Sequence, residues 1–341
     1  MYNMEDINGE SFLLELCRQA EKSCAFNADN MDGLVKWRED ARKRVLSALG
    51  MDALVRDGGS AQLVESISFD GYRRDKYILP TAVKLKMPLY VLIPDNCNGK
   101  TVIALHCHGS YGKEGAVGNP PEGARDNTKA AYGLELVQRG YIAVCPDILG
   151  SGERMALLCK NPLQSACDIL NDTLSALGLS LQGAALFELM VLTDFALGLK
   201  ENKFDKAASL GFSGGGLFSL LMAGLCDNID VSVVSGYFHT QKDTCLQSNK
   251  CGCNFVYNMW NTADCGELAA MAAPKPLYIE CGSEDKLHGR SGLDSVYAEL
   301  ETAKKAYSIY DKEENLQLAV CEGAHRWYGS CYDFLHKACG L

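Results

Sequence analysis

No long run of apolar residues, no block of positive charge and no internal repeat appears in these 341 residues. Each absence removes a class of function. The longest apolar stretches fall far short of the ~20 residues that cross a bilayer, so neither a span nor a membrane partner is expected. The opening, MYNMEDINGESFLLELC, is acidic. It lacks a basic segment leading into an apolar one, so it does not read as an export signal, and a cytoplasmic protein is expected. Lys and Arg number 33 against 43 Asp and Glu, for a net charge of −10. Phosphate binding needs grouped cations, so nucleic acid is not an expected partner. No propeller-like repeat precedes the later half of the chain, where a peptidase of that kind would carry one.

What remains is the composition of a globular chain with a sizeable core, 47% hydrophobic and 22% charged. The 16 cysteines would suggest a disulfide scaffold in a small secreted domain. In a chain of this length without an export signal they read as reduced thiols, many packed as small apolar side chains. Cys107, Cys145, Cys281 and Cys321 each sit in a strand-like apolar run, so burial is expected for all four.

The first segment is helical in character. Residues 31–52 place Leu34, Val35, Trp37, Ala41, Val45, Leu46 and Leu49 close to a 3.6 period, and Gly50 suits a C-cap. Residues 1–58 are expected to form a helical extension packed on a core domain of residues 59–341. AQLVESISFDG and YILPTAVKLKMPLYVLIPD read as extended antiparallel strands, with alternation around Val83, Leu85, Met87 and Leu89. From TVIALHCHGS onward, strands and helices alternate, broken by a polar, irregular insertion after YIAVCPD and a long irregular stretch after DVSVVSGYF. That order predicts an α/β protein, a mainly parallel sheet covered on both faces, with functional groups at the carboxyl ends of its strands.

One such end carries Gly211-Phe212-Ser213-Gly214-Gly215, a G-x-S-x-G between an apolar strand and an apolar helix. A sharp strand-to-helix turn exposes the serine hydroxyl, and the crowded flanking positions leave no room for a Cβ. The helix N-terminus then faces any negative charge that develops beside it. A serine needs a histidine base, and the base needs a carboxylate to fix its tautomer. Asp285 ends LYIECGSED and His325 ends LQLAVCEGAH, each at a predicted strand's carboxyl end. The serine, acid, histidine order fits an acyl-transfer site. Glu284, beside Asp285, stays open as the acid, whereas Glu280 lies inside its strand. His288 is placed in a loop over the site and His336 on the last helix.

An oxyanion hole needs a second strand end. Gly214 supplies one N–H, and Gly109 or Ser110, after the strand TVIAL, supplies another. His108, Tyr111, His239 and Trp327 are the candidate substrate contacts. His106 and His108 form an H-x-H, but no third and fourth ligand follow at a useful spacing. The pair is expected to brace the turn and no metal is expected there. By spacing alone, Cys245, Cys251, Cys253 and Cys265 suggest zinc, though a C-x-C pair is tight for two ligands on one ion.

With these residues in view, the chain resembles α/β-hydrolases of the dienelactone hydrolase and acetyl xylan esterase-like group, in its bacterial carbohydrate-esterase-like branch. WREDARKRVLSALGM, HCHGSYGKEG, PDILGSGER, GFSGGG and the run from KCGCNFVYNM to AAPKPLYIECGSED carry the resemblance. It implies an α/β-hydrolase fold, no cofactor, and cleavage of small acyl esters, acetyl above all, on carbohydrate-type substrates. It also implies that the Cys-x-Cys-Asn segment is a structural turn near the pocket, with no metal. VYNMW departs from the branch's pattern where a Pro-Gly often follows, which leaves the substrate's identity open. A dienelactone hydrolase-like or peptidase-like hydrolase, a non-catalytic binding protein on the same fold, and oligomerisation also stay open.

Overall fold

The computed structural model describes residues 7, 9–109, 111–119, 130–155, 166–245 and 250–341. The short apolar runs become the centre of a sheet because they are buried on both sides and need no alternation. Among the described residues the sheet has nine strands: β1 (Gln62–Phe69), β2 (Tyr72–Ala82), β3 (Leu85–Pro94), β4 (Thr101–Leu105), β5 (Ile142–Pro146), β6 (Ala207–Phe212), β7 (Ile229–Ser235), β8 (Leu277–Gly282) and β9 (Leu316–Cys321). Their order is β1-β2-β3-β5-β4-β6-β7-β8-β9. The first three strands and the β3–β5 pair are antiparallel, and every later pair is parallel.

Helices cover both faces. On one side lie α2 (Met31–Leu49), α5 (Leu181–Leu197), α6 (Gly214–Leu225), α7 (Cys265–Ala272) and α8 (Leu293–Ile309); on the other lie α3 (Tyr132–Val137) and α9 (Tyr332–Ala338). α1 (Glu10–Gln19) precedes them, and α4 (Ala166–Ala176) stands between β5 and α5. β3 shows the division of the core. Leu89, Val91 and Ile93 join the first cluster, whereas Tyr90 and Leu92 join the second. The periodic face of α2 is buried at Leu34, Trp37, Ala41, Val45 and Leu49, and Gly50 ends the helix at φ 75°. Each fully buried Leu or Val side chain contributes roughly 1.5–3 kcal/mol. No single helix among the described residues is long and apolar enough to cross a membrane.

Three local expectations need correcting. The alternation through Val83 is broken by a hairpin turn, where Lys84 adopts φ 62° and Val83 is 64% exposed. The insertion after β5 is not all irregular, since it contains α4. Cys145 and Cys281 are buried as expected, but Cys107 and Cys321 are only half-buried. Cys107 lies beyond the end of β4, and Cys321 closes the edge strand β9. None of the fourteen cysteines whose side chains are described is joined in a disulfide.

Strand order also locates the crevice. The chain leaves β4 toward β5 on one side, and leaves β6 toward β7 on the other. The loops after β4 and β6 therefore diverge, and the gap between them at the carboxyl ends is where such sheets bind ligands.

Candidate active site

Ser213 sits in that gap. It bridges β6 and α6 at φ 56°, ψ −117°, a left-handed backbone that costs a non-glycine residue about 1–3 kcal/mol. The strain is held by the turn around it. Ser213 N–H donates to Ser235 O at 2.8 Å. A Cβ on Gly211 would strike the Gly215 backbone, and one on Gly215 would strike Leu105 O. Only glycine lets the ends of β4 and β6 and the start of α6 approach this closely.

The hydroxyl meets the base that the sequence placed after β9. His325 Nε2 lies 2.8 Å from Ser213 Oγ, and His325 Nδ1 lies 2.6 Å from Asp285 Oδ2. Asp285 is 4% exposed and its Oδ1 also accepts from Leu287 N–H at 2.9 Å, which fixes the carboxylate plane. Glu284 faces solvent. The acid left open in the sequence is therefore Asp285 by geometry. Glu280 is fully buried and reaches the same region from behind. It accepts from Ser235 Oγ at 2.7 Å, Tyr328 N at 3.2 Å, Ser330 N at 3.0 Å and Ser330 Oγ at 2.5 Å. It thus anchors the loop that carries His325, a role invisible in the sequence. The imidazole also packs on Phe212, with ring centroids 4.7 Å apart.

The loop after β4 packs against the turn at Ser213. A Cβ on Gly214 would lie 2.9 Å from His108 N and 3.0 Å from His108 Cβ. Gly214 opens α6, so its N–H points out of the helix end toward this gap. Gly109 follows His108 in that loop, and Ser110 lies outside the described residues. His106 is buried, with Nδ1 2.8 Å from Cys107 O and Nε2 accepting from Ile148 N–H at 3.0 Å. Both ring nitrogens are used to brace the turn, as expected, and burial lowers its pKa. His108 does something different: its Nε2 lies 3.2 Å from Cys167 Sγ, and hydrogen bonds to Cys167 and Cys251 push its pKa up to about 10.

The PDILGSGER stretch holds this loop from the side. Asp147, fully buried, accepts from Lys113 N at 2.8 Å, Lys113 Nζ at 2.7 Å and Glu153 N at 3.1 Å. Gly152 is packed against that carboxylate, where a Cβ would collide with it. Burial opposes the charge on Lys113, but Asp147 and Glu153 outweigh it and hold the ammonium above its ordinary pKa. Arg154 pairs with buried Glu188 at 2.8 Å.

Ser213 opens into a cavity of about 300 Å³, lined among others by Ile148, Leu149, Leu181, Leu217, Phe218 and Tyr237. That is the small end of the range for ligand pockets. His108 is on its wall, together with Cys167, Cys251 and Cys253. The other expected contacts lie elsewhere. Tyr111 borders a separate small space beside Gly109. Trp327 donates to Glu135 at 3.2 Å and packs on Tyr132, so it belongs to the second core cluster. His239 is fully buried, with Nε2 3.1 Å from Lys250 Nζ; Lys250, not His239, lines the cavity. His288 is buried beside His239, ring centroids 6.2 Å apart, and His336 is exposed on α9. The cysteine set suggested by spacing is also regrouped. Cys251 and Cys253 meet Cys167 and His108, whereas Cys265 is buried at the start of α7, and the Cys245 side chain lies outside the described residues.

The chain matches the model of the Abhydrolase family over residues 7–320. No curated relative matches it by sequence. Among solved structures it is similar to a Bacteroides fragilis protein provisionally assigned as an acetyl xylan esterase, with TM-score 0.75 and 21% identity over 92% of this chain and 82% of that one. It is similar to a glucuronoyl esterase from Solibacter usitatus, with TM-score 0.66 and 11% identity over 94% and 96% of the two chains. It is also similar to acetyl xylan esterase 1 from Thermoanaerobacterium sp. JW/SL YS485, with TM-score 0.59 and 15% identity over 95% and 96%.

Proposed function

We propose, on the premise that the chain belongs to the Abhydrolase family, that it is a serine esterase that cleaves small acyl groups from carbohydrate-type alcohols through an acyl-enzyme. One observation carries the reading: the unbroken relay from Ser213 Oγ through His325 to Asp285, with Ser213 on the wall of a mainly apolar cavity. Ser213 Oγ attacks the ester carbonyl carbon while His325 Nε2 takes its proton. Asp285 keeps Nδ1 protonated and stabilises the imidazolium. The N–H of Gly214 and one from the loop at His108–Gly109 hold the oxyanion. His325 then returns the proton to the departing alcohol, and a water activated by the same imidazole releases the acid. A cavity of this size favours acetyl over long acyl chains. The acetyl xylan and glucuronoyl esterases among the structural neighbours support a carbohydrate ester as substrate.

The test is turnover of p-nitrophenyl acetate, butyrate and octanoate and of acetylated xylo-oligosaccharides, in wild type and Ser213→Ala. Acetyl esters should be fastest and the variant inactive. Wild-type turnover no faster than that of Ser213→Ala would leave a non-catalytic binding protein. A preference for octanoate would overturn the small-acyl reading.

A further inference from the structure

Four ligand-type atoms meet on the cavity wall, from three segments far apart in sequence. His108 comes from the loop after β4, Cys167 from the first turn of α4, and Cys251 and Cys253 from the segment after β7. Their ligand atoms all lie within 4.8 Å of one another. His108 Nε2 is 3.2 Å from Cys167 Sγ, and Cys251 Sγ is 3.2 Å from both Cys167 Sγ and Cys253 Sγ. We propose that His108, Cys167, Cys251 and Cys253 form a tetrahedral zinc site that clamps the loop after β4 to the two segments lining the cavity.

The donor set carries the choice of metal. Three thiolates and one imidazole are a soft, tetrahedral set of the kind that makes closed structural zinc sites. Zinc bonds of about 2.3 Å to sulfur and 2.0–2.1 Å to nitrogen place tetrahedral sulfurs about 3.8 Å apart, and sulfur and nitrogen about 3.6 Å apart. The three 3.2 Å contacts need to lengthen by about half an ångström, and the widest separation, within 4.8 Å, to shorten by up to about one, to reach that shape. A disulfide uses two of the thiols and leaves the third and the imidazole without a purpose. The surroundings are also built around the ligands. Asp168 Oδ1 accepts from Gly252 N at 2.6 Å and from Cys251 Sγ at 2.8 Å. Asn254 Nδ2 reaches Cys253 Sγ at 3.7 Å, Asn171 Nδ2 donates to Gly252 O at 2.9 Å, and Gln182 Nε2 donates to Cys253 O at 3.1 Å. When zinc binds, the thiols give up their protons to solvent, and Asp168 keeps its bond from Gly252.

The expectation that no metal binds is thereby revised. It paired the C-x-C with cysteines near it in sequence, whereas the partners are His108 and Cys167. The site does not depend on the esterase reading, but it bears on it. His108 backbone packs against Gly214, so the metal holds one wall of the gap where an oxyanion would sit.

The experiment is elemental analysis of full-length protein, purified reduced and without chelator, followed by cobalt substitution of the demetallated chain. About one zinc per chain is expected. Cobalt should give thiolate-to-metal charge-transfer bands in the near ultraviolet and intense visible bands of tetrahedral geometry. Cys253→Ser and Cys167→Ser should lose both, while Cys17→Ser, on α1, keeps both. Zinc removal should lower the melting temperature and reduce ester turnover roughly tenfold or more, restored by zinc. Zinc far below stoichiometry together with no cobalt bands in the wild type overturns the site, whatever the variants do. Stoichiometric iron or copper in place of zinc overturns the assignment of the metal. A disulfide between any two of the three cysteines in protein isolated under thiol-blocking conditions overturns it as well. Ester turnover lost in Ser213→Ala with zinc intact would separate this proposal from the catalytic one.

Discussion

Replacing Asp285 by Asn tests the relay at its least redundant bond. Asp285 Oδ2 accepts from His325 Nδ1 at 2.6 Å, and Oδ1 accepts from Leu287 N at 2.9 Å. An asparagine keeps the second bond through its carbonyl oxygen. Its NH₂ then faces Nδ1, where it can donate but not accept. The imidazole answers by moving its proton to Nε2, and that nitrogen no longer takes the Ser213 proton. The backbone bond is retained, so folding should be nearly unchanged. In serine proteases the same exchange costs about 10⁴ in kcat, equivalent to ~5.5 kcal/mol of activation free energy. Glu284→Gln, on an exposed side chain, should cost about tenfold or less, since only a screened surface charge is lost. The assay is steady-state hydrolysis of p-nitrophenyl acetate, with urea midpoints to show that both variants are folded. If Asp285→Asn stays within tenfold of wild type, or Glu284→Gln is the inactive one, the relay drawn here has the wrong acid.

Three other outcomes follow from the same geometry. A fluorophosphonate probe should label Ser213 in the wild type and leave Ser213→Ala unlabelled; equal labelling of both would remove Ser213 as the nucleophile. Glu280→Gln weakens four hydrogen bonds to a buried carboxylate and should lower unfolding free energy by about 1.5–3 kcal/mol while reducing kcat, because the loop carrying His325 loosens; a stable variant of full activity would refute that anchoring role. Burial lowers the pKa of His106, His239 and His288, so the unfolded chain takes up protons that the folded one refuses. Stability should therefore fall as pH drops below about 6.5, by up to ~1.4 kcal/mol per pH unit for each histidine, and a urea midpoint that stays level between pH 7 and pH 5.5 contradicts it.

Much of the relay was legible in the sequence because it is assembled from local signals. A strand, a G-x-S-x-G and an apolar helix specify the turn at Ser213, and the later strands end where Asp285 and His325 stand. The parallel sheet follows from the alternation of elements, and the face of α2 from its 3.6 period. Where a local pattern was ambiguous, the reading slipped. A continuous apolar-polar alternation through Val83 does not reveal that Lys84 turns left-handed there. Asp285 and Glu284 are neighbours in the chain, and only the fold decides that one faces His325 and the other water. Trp327 is a candidate substrate contact in the sequence, yet its indole turns into the core beside Tyr132. Of the cluster of His108, Cys167, Cys251 and Cys253, only the Cys251-x-Cys253 pair shows in the spacing; His108 and Cys167 lie far from it in sequence. Its ligands are brought together because β4 lies beside both β5 and β6, so that segments following β4, β5 and β7 share one end of the sheet. Short-range sequence order fixes turns, faces and strand ends, since those depend on neighbouring dihedrals and periodic burial. Which distant side chains touch depends on strand order and crossover, which are set by how the whole core packs.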